Sequence, residues 1–252
     1  MITIISPAKT QDFTSIIPAI QATLPGFSDK TQQLLLLCKN LSKNQIKQLM
    51  NISDKLAELN YHRYQDFDNL TTRQAIFAYN GDVYDNIDRL SFSEEERDFL
   101  QSHMLIISGL YGLLRPLDQI RAYRLEMSTK LPNLNKLSSF WEKDITNYIN
   151  QILAIQSNKY LINLSSNEYS CAINADELKY PMINIHFKEN RNGKLQTIGI
   201  NAKKARGSML NFIVKKLIDI PSALQEFSSH NYQYNKIESS DKNWVFIKDN
   251  SI

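Results

Sequence analysis

Hydrophobic and polar residues follow two different periods along this chain, and the positions where one gives way to the other mark its elements. Met1 to Ser6, apolar except at Thr3 and Ser6, reads as a buried strand. The polar stretch SPAKTQDF that follows reads as a loop carrying Lys9. Residues 28 to 65 read as a helical insertion, in which Ser42 and Gln45 have capping-box spacing and predict a helix through about Met50. A second helix is predicted from about Ser53 to Tyr64, and residues 71 to 89 read as a helix broken at Asn80-Gly81. Ser93 with Glu96 predicts a helix leading into a strand over 104 to 108. Ser139 with Glu142 predicts an amphipathic helix through about Ile155, with Trp141 near its start. Lys159 to Leu164 is strand-like. Met182 to Lys188 and Lys194 to Asn201 flank Asn190-Arg191-Asn192-Gly193 as a predicted hairpin. One more helix is expected over 203 to 217, then short strands near 232 to 237 and 243 to 248. No Pro-, Ser- or Gly-rich linker and no repeat divides the chain. The expectation is one α/β domain over residues 1 to 252, with a mixed sheet surrounded by helices.

Composition narrows this picture without adding a partner. With 42% hydrophobic and 22% charged residues, a chain of 252 residues can bury a good core, which excludes disorder. The net charge of +3 is too small to announce a nucleic-acid binder, so any basic surface must come from local clustering. There is no run of about 18 apolar residues, and the N-terminus lacks a basic region followed by a long apolar one, so a cytoplasmic protein with no membrane partner is expected. Cys38 and Cys171 stand far apart with no CxxC, which fits two reduced thiols.

Three segments carry candidate chemistry. Residues 104 to 127, MLIISGLYGLLRPLDQIRAYRLEM, place Gly109 and Gly112 at the end of a strand and follow them with Arg115, Arg121 and Arg124. Such a strand end can turn sharply and leave N–H groups facing a cavity, and the arginines offer forked donors for phosphate or carboxylate; a tight turn with solvated arginines fits the same residues. Leu49 to Leu59, LMNISDKLAEL, can be laid over a helix-hairpin-helix pattern, giving such an element near residues 42 to 64. The two glycines usual in that hairpin are replaced by Asn51 and Ser53, and Asp54 sets a negative charge at the helix end that would meet a phosphate. An ordinary helix pair with Ser53 or Asp54 as N-cap fits equally. Ala202 to Leu217 has an apolar face of Ala205, Met209, Phe212 and Ile213. Lys203, Lys204 and Arg206 cluster at its start, where positive charge opposes the helix dipole and a bound anion would offset the cost; a solvated surface helix fits the same residues equally.

Other chemistries are excluded. GxxxxGK[ST], GxGxxG and GxSxG are all absent. His186 and Glu189 have the spacing of a metal pair on a helix but lie in a predicted strand, where positions three apart face opposite ways. No metal and no cofactor are expected.

Taken together, ISPAKT at 5 to 10, ISDKLA at 52 to 57, GDVY at 81 to 84, SGLYGLLRPLD at 108 to 118, YRLEM at 123 to 127, FW at 140 to 141, NLSSNEY at 163 to 169 and AKKARG at 202 to 207 resemble the YaaA family of peroxide-stress proteins over the full length of the chain. The resemblance implies a cytosolic protein that limits free iron and oxidative damage to DNA, with an α/β fold whose helix-hairpin-helix element and basic cleft bind double-stranded DNA. The sequence departs from that pattern in the missing hairpin glycines and in Ser42-Lys43-Asn44, where relatives carry a proline. The residues expected to meet DNA are Lys43, Lys47, Asn51, Ser53 and Lys55 around the hairpin, with Lys9, Arg115, Arg124, Lys203, Lys204 and Arg206 lining a cleft. Binding is expected to be independent of sequence. The residues themselves leave a different class open: Lys9, Ser108, Tyr111, Arg115, Arg124, Glu126, Asn163, Ser166, Glu168 and Lys204 could form an enzyme pocket for a nucleotide or other small anion, with Glu126 or Glu168 as base and Lys9 as electrophilic support.

Overall fold

A computed structural model describes residues 1 to 249. The chain opens with β1 (Ile2–Ile5), whose four residues are all buried, and β2 (Thr10–Gln11). Three helices follow: α1 (Ser28–Lys39), α2 (Lys43–Met50) and α3 (Asp54–Gln65). The expected capping box at α2 is present, with the Ser42 hydroxyl accepting from the Gln45 N–H and the Gln45 side chain accepting from the Ser42 N–H. Residues 71 to 89 are not one broken helix. They form β3 (Thr72–Gln74), the single turn α4 (Ala75–Ala78) and β4 (Tyr79–Asn80), because both strands find remote partners, in β7 and β2 respectively.

Next come α5 (Glu94–His103), again with its capping box, β5 (Met104–Ser108), β6 (Gly112–Leu114) and β7 (Gln119–Arg121). The helix expected from Ser139 is α6 (Leu137–Ala154), with Lys136 at its N-cap position and Ser139 inside its first turn. The chain finishes with β8 (Leu161–Asn163), the single turn α7 (Asn167–Ser170), β9 (Met182–Arg191), β10 (Lys194–Gln196), α8 (Gly199–Lys215), β11 (Tyr232–Ser240) and β12 (Asn243–Asp249). The β9–β10 hairpin turns at Asn192-Gly193, both with positive φ, as an Asn-Gly turn should. Its second strand is shorter than expected, since Gly199 already opens α8.

The main sheet has eight strands in the order β11-β12-β9-β8-β1-β5-β6, with β10 beside β9. β5, β1, β8, β9 and β12 run parallel to one another, while β6, β10 and β11 are antiparallel to their neighbours. The fold is therefore α/β with a mixed sheet. From β1 the chain passes to β5 on one side, then returns across β1 to β8 and continues outward to β9 on the other. The carboxyl ends of β1 and β8 thus flank the point where connections part in opposite directions, and in open α/β sheets a crevice for ligands forms there.

Candidate functional site

A cleft of about 440 Å³ occupies that position. Its floor is the segment leaving β1, Ser6 to Thr10, and the segment leaving β8, Leu164 to Tyr169; its walls are Asn80 to Val83 and the Lys203 and Arg206 side chains of α8. The two strand ends are tied together. The Ser166 N–H donates to Ser6 Oγ at 2.8 Å, and the two hydroxyls are 3.3 Å apart. The Ser6 carbonyl accepts from the buried Tyr84 hydroxyl at 2.9 Å, which fixes the loop from behind.

The approach of α8 to the cleft depends on Gly207. A Cβ there would lie 2.0 Å from the Val83 carbonyl oxygen, so only glycine lets the helix backbone rest on the 83 to 86 segment. Arg206, one residue earlier, is thereby held over the cleft wall. Its guanidinium has no hydrogen-bonding or ion-pair partner among the described residues, and its Nε is buried. Burial lowers its pKa, because removing water penalises the charged form, yet an arginine remains a cation at neutral pH. Lys203 faces the Asp82 carboxylate at 4.0 Å, and Lys204 is exposed. These cations fall in the second turn of α8, because the helix begins at Gly199 and not at 203.

A narrow extension leads from Lys9 and Tyr169 to Arg124 and Glu126. Glu126 is shared between Lys9 Nζ at 3.1 Å and Arg124 NH2 at 3.0 Å, and the Arg124 Nε is buried without a partner. Glu168 accepts from the Ser128 hydroxyl at 2.9 Å. Beneath lies a buried polar chain: the Tyr79 and Tyr123 hydroxyls are 2.7 Å apart, Tyr123 and Ser108 share a second 2.7 Å bond, and Ser108 Oγ accepts from the Tyr111 N–H. Burial pushes the Tyr123 phenol up to about 12, so this chain is neutral and structural at physiological pH.

The structure thus brings Lys9, Ser166, Glu168, Lys203 and Arg206 to one crevice, with Arg124 and Glu126 in the adjoining small hollow that shares Lys9 and Tyr169 with it. Arg115 is elsewhere. It lines a separate hollow with Phe27 and Tyr148, and its guanidinium is held by Asp118 at 3.0 and 3.2 Å. Arg121 donates to the Asp68 carbonyl. Gly109 and Gly112 serve packing: a Cβ at Gly109 would meet the Leu125 carbonyl at 2.2 Å, and one at Gly112, with φ +73°, would meet the Trp141 ring at 2.7 Å. Asn163 is turned inward, bonded to Asn184 and to both the N–H and the hydroxyl of Ser165.

At the helix pair, Asn51 takes the left-handed conformation with φ 48° and closes α2, and the Ser53 hydroxyl caps α3 by accepting from the Leu56 N–H. Lys43 is paired with Glu58 at 2.5 Å and Lys47 with Asp54 at 2.8 Å, so two of the three hairpin lysines already face a carboxylate; Lys55 is exposed and has no carboxylate partner among the described residues. Residues 54 and 64 are roughly 15 Å apart along α3. The Tyr64 hydroxyl donates to the Arg124 carbonyl, so that far end of α3 abuts the cleft extension. Ser6, Asn80 and Asp82 line the cleft but were not singled out from sequence, although ISPAKT and GDVY contain two of them.

Among the described residues no helix is long and apolar enough to cross a membrane. The family model described as peroxide stress protein YaaA matches residues 1 to 238. Similar curated proteins include a UPF0246 protein of Rickettsia bellii, 56% identical over 248 residues, which are 98% of this chain and 100% of that protein. Another, from Rickettsia rickettsii, is 54% identical over the same shares, and one from Rickettsia felis is 53% identical over 249 residues, 99% of this chain and all of the relative. With a strand-end crevice built from the very segments that match, the chain belongs to the YaaA family of peroxide stress proteins, also designated UPF0246.

Proposed function

We propose that the protein acts in the cytoplasm during peroxide stress by holding double-stranded DNA through its sugar-phosphate backbone, without reading base edges, and so limits iron-dependent oxidative damage. The observation that carries this reading is the cation group on α8. Of these three cations, Lys203, Lys204 and Arg206, only Lys203 has a carboxylate partner among the described residues, Asp82 at 4.0 Å. Phosphate oxygens supply the missing counter-charge, and Lys9, 56% exposed, adds a smaller contact because it must first leave Glu126. The helix pair contributes at its tip through Lys55 and the exposed Asn51 and Ser53. Lys43 and Lys47 contribute less, because each must first leave Glu58 or Asp54. No helix presents a row of base-reading side chains, so affinity follows phosphate geometry and not sequence. Fluorescence anisotropy with duplexes of unrelated sequence tests this: equal affinities that weaken steeply with salt are expected, and a strong preference for one sequence, or no binding at low salt, would refute it.

A further inference from the structure

The floor of the cleft goes beyond duplex binding. A double helix can set a phosphate at the mouth of the cleft but is too broad to fill a crevice of about 440 Å³, and the groups inside are polar, fixed and incompletely satisfied. We propose that the cleft between the ends of β1 and β8 binds a small phosphomonoester with a hydroxylated body, of the nucleoside monophosphate class, its phosphate on Arg206 and Lys203 and its hydroxyls on Glu168 and the Ser6–Ser166 pair.

Four observations support it. Arg206 is a recessed cation with a buried, unpartnered Nε, and a bidentate phosphate is the ligand that a guanidinium fork fits best. Leaving such a donor unsatisfied is costly, and an anion would recover that cost. The lining also carries both kinds of group: the cations Arg206 and Lys203, and the Glu168 carboxylate, which is held by Ser128, so a ligand with an anionic head and a hydrogen-bond-donating body finds a partner for each part. The serine pair is preformed, since each strand end is bonded to the other before any ligand arrives. Pro7, Val83, Leu164 and Tyr169 supply apolar wall, and the volume lies in the range of small-molecule sites, about 300–1,000 Å³. The phosphate could belong to a free mononucleotide or to the terminal nucleotide of a DNA strand, which share this chemistry.

Isothermal titration calorimetry of the whole protein with AMP, ribose 5-phosphate and adenosine tests the site. Both phosphates are expected to bind and adenosine to bind at least about tenfold more weakly. Arg206→Gln is expected to weaken AMP at least about tenfold. Lys203→Gln, at an exposed position where folding is not at risk, should weaken it about threefold or more. Glu168→Gln should weaken AMP while leaving the affinity for inorganic phosphate unchanged. A preference for a 5′-phosphorylated over an unphosphorylated oligonucleotide, lost in Arg206→Gln, would assign the strand end as the source; AMP binding without that preference would assign the free nucleotide. No heat from AMP at about 10 mM, adenosine binding as well as AMP, or wild-type affinity in both Arg206→Gln and Lys203→Gln would overturn the proposal. Because both readings use Arg206 and Lys203, duplex affinity of the wild type separates them: duplex binding without AMP binding overturns only the mononucleotide site, and AMP binding without duplex binding overturns only the duplex reading.

Discussion

Replacing Gly207 by alanine should destabilise the protein even though alanine is the better helix former. In a free helix the exchange gains about 1 kcal/mol. Here the new methyl would lie 2.0 Å from the Val83 carbonyl oxygen, 2.9 Å from its carbon and 3.0 Å from Asn86 Cβ. Contacts shorter than 3.0 Å are not tolerated, so α8 and the 83 to 86 segment must part by about 1 Å, and the obstacle is backbone, not a side chain that can rotate away. Overpacking of this kind costs about 1–3 kcal/mol, and a clash this deep lies at the upper end. The net loss is then about 1–2 kcal/mol, or roughly 2–8 °C in melting temperature for a chain of this size. Gly199→Ala is the control: it lies in the same helix, a Cβ there meets nothing within 4 Å, and its melting temperature should stay level or rise. Thermal unfolding by circular dichroism decides between them. If Gly207→Ala melts at or above the wild type, the close seating of α8 on Val83, and with it the placement of Arg206, is wrong.

Further predictions concern the buried network, the helix pair and the thiols. Tyr123→Phe strands the Tyr79 hydroxyl in the core and leaves Ser108 only the Tyr111 N–H, and should lower stability by about 1–3 kcal/mol in denaturant titration. The raised Tyr123 pKa means that the unfolded chain loses its phenolic proton near pH 10 while the fold holds it to about 12; stability is therefore complete below pH 10 and is lost as pH rises from 10 to 12, which alkaline unfolding curves should show. Lys43→Gln with Lys47→Gln should change stability by no more than about 0.5 kcal/mol, because both pairs are exposed. Burial pushes the Cys38 thiol up to about 12 while Cys171 is exposed, so a thiol reagent at pH 8 should label Cys171 at once and Cys38 only after unfolding.

Much of the framework was legible because its signals are local. The capping boxes at Ser42 and Ser93, the buried run of β1 and the Asn192-Gly193 turn are each set by a few neighbouring residues. The failures share a cause in tertiary contact. Ser139 and Glu142 have the spacing of a box, but α6 starts earlier, at Leu137, where it seats Trp141 against Gly112. Residues 72 to 74 and 79 to 80 lack a strand pattern of their own and become strands only because β7 and β2 lie alongside.

The cleft divides in the same way. Lys9, Glu126, Glu168 and Arg206 were visible as charged residues in separate motifs, but nothing in the sequence distinguishes the unpartnered Arg206 from Arg115, whose fork closes on Asp118 three residues later. Nor could spacing reveal that Glu58 and Asp54 would occupy two of the hairpin lysines. Asp82 and Ser6 join the site only through the topology that sets α8 and the ends of β1 and β8 around one crevice.

The central claim is that phosphates meet α8 before they meet the helix pair. It is tested most directly by duplex affinity across a salt series for the wild type, for a Lys203→Gln, Lys204→Gln, Arg206→Gln variant and for a Lys43→Gln, Lys47→Gln, Lys55→Gln variant. The α8 variant should lose most of the affinity, with a slope of log affinity against log salt shallower by about 2–3, while the helix-pair variant should lose about 1. Equal slopes in the wild type and the α8 variant, or the larger loss in the helix-pair variant, would contradict the account.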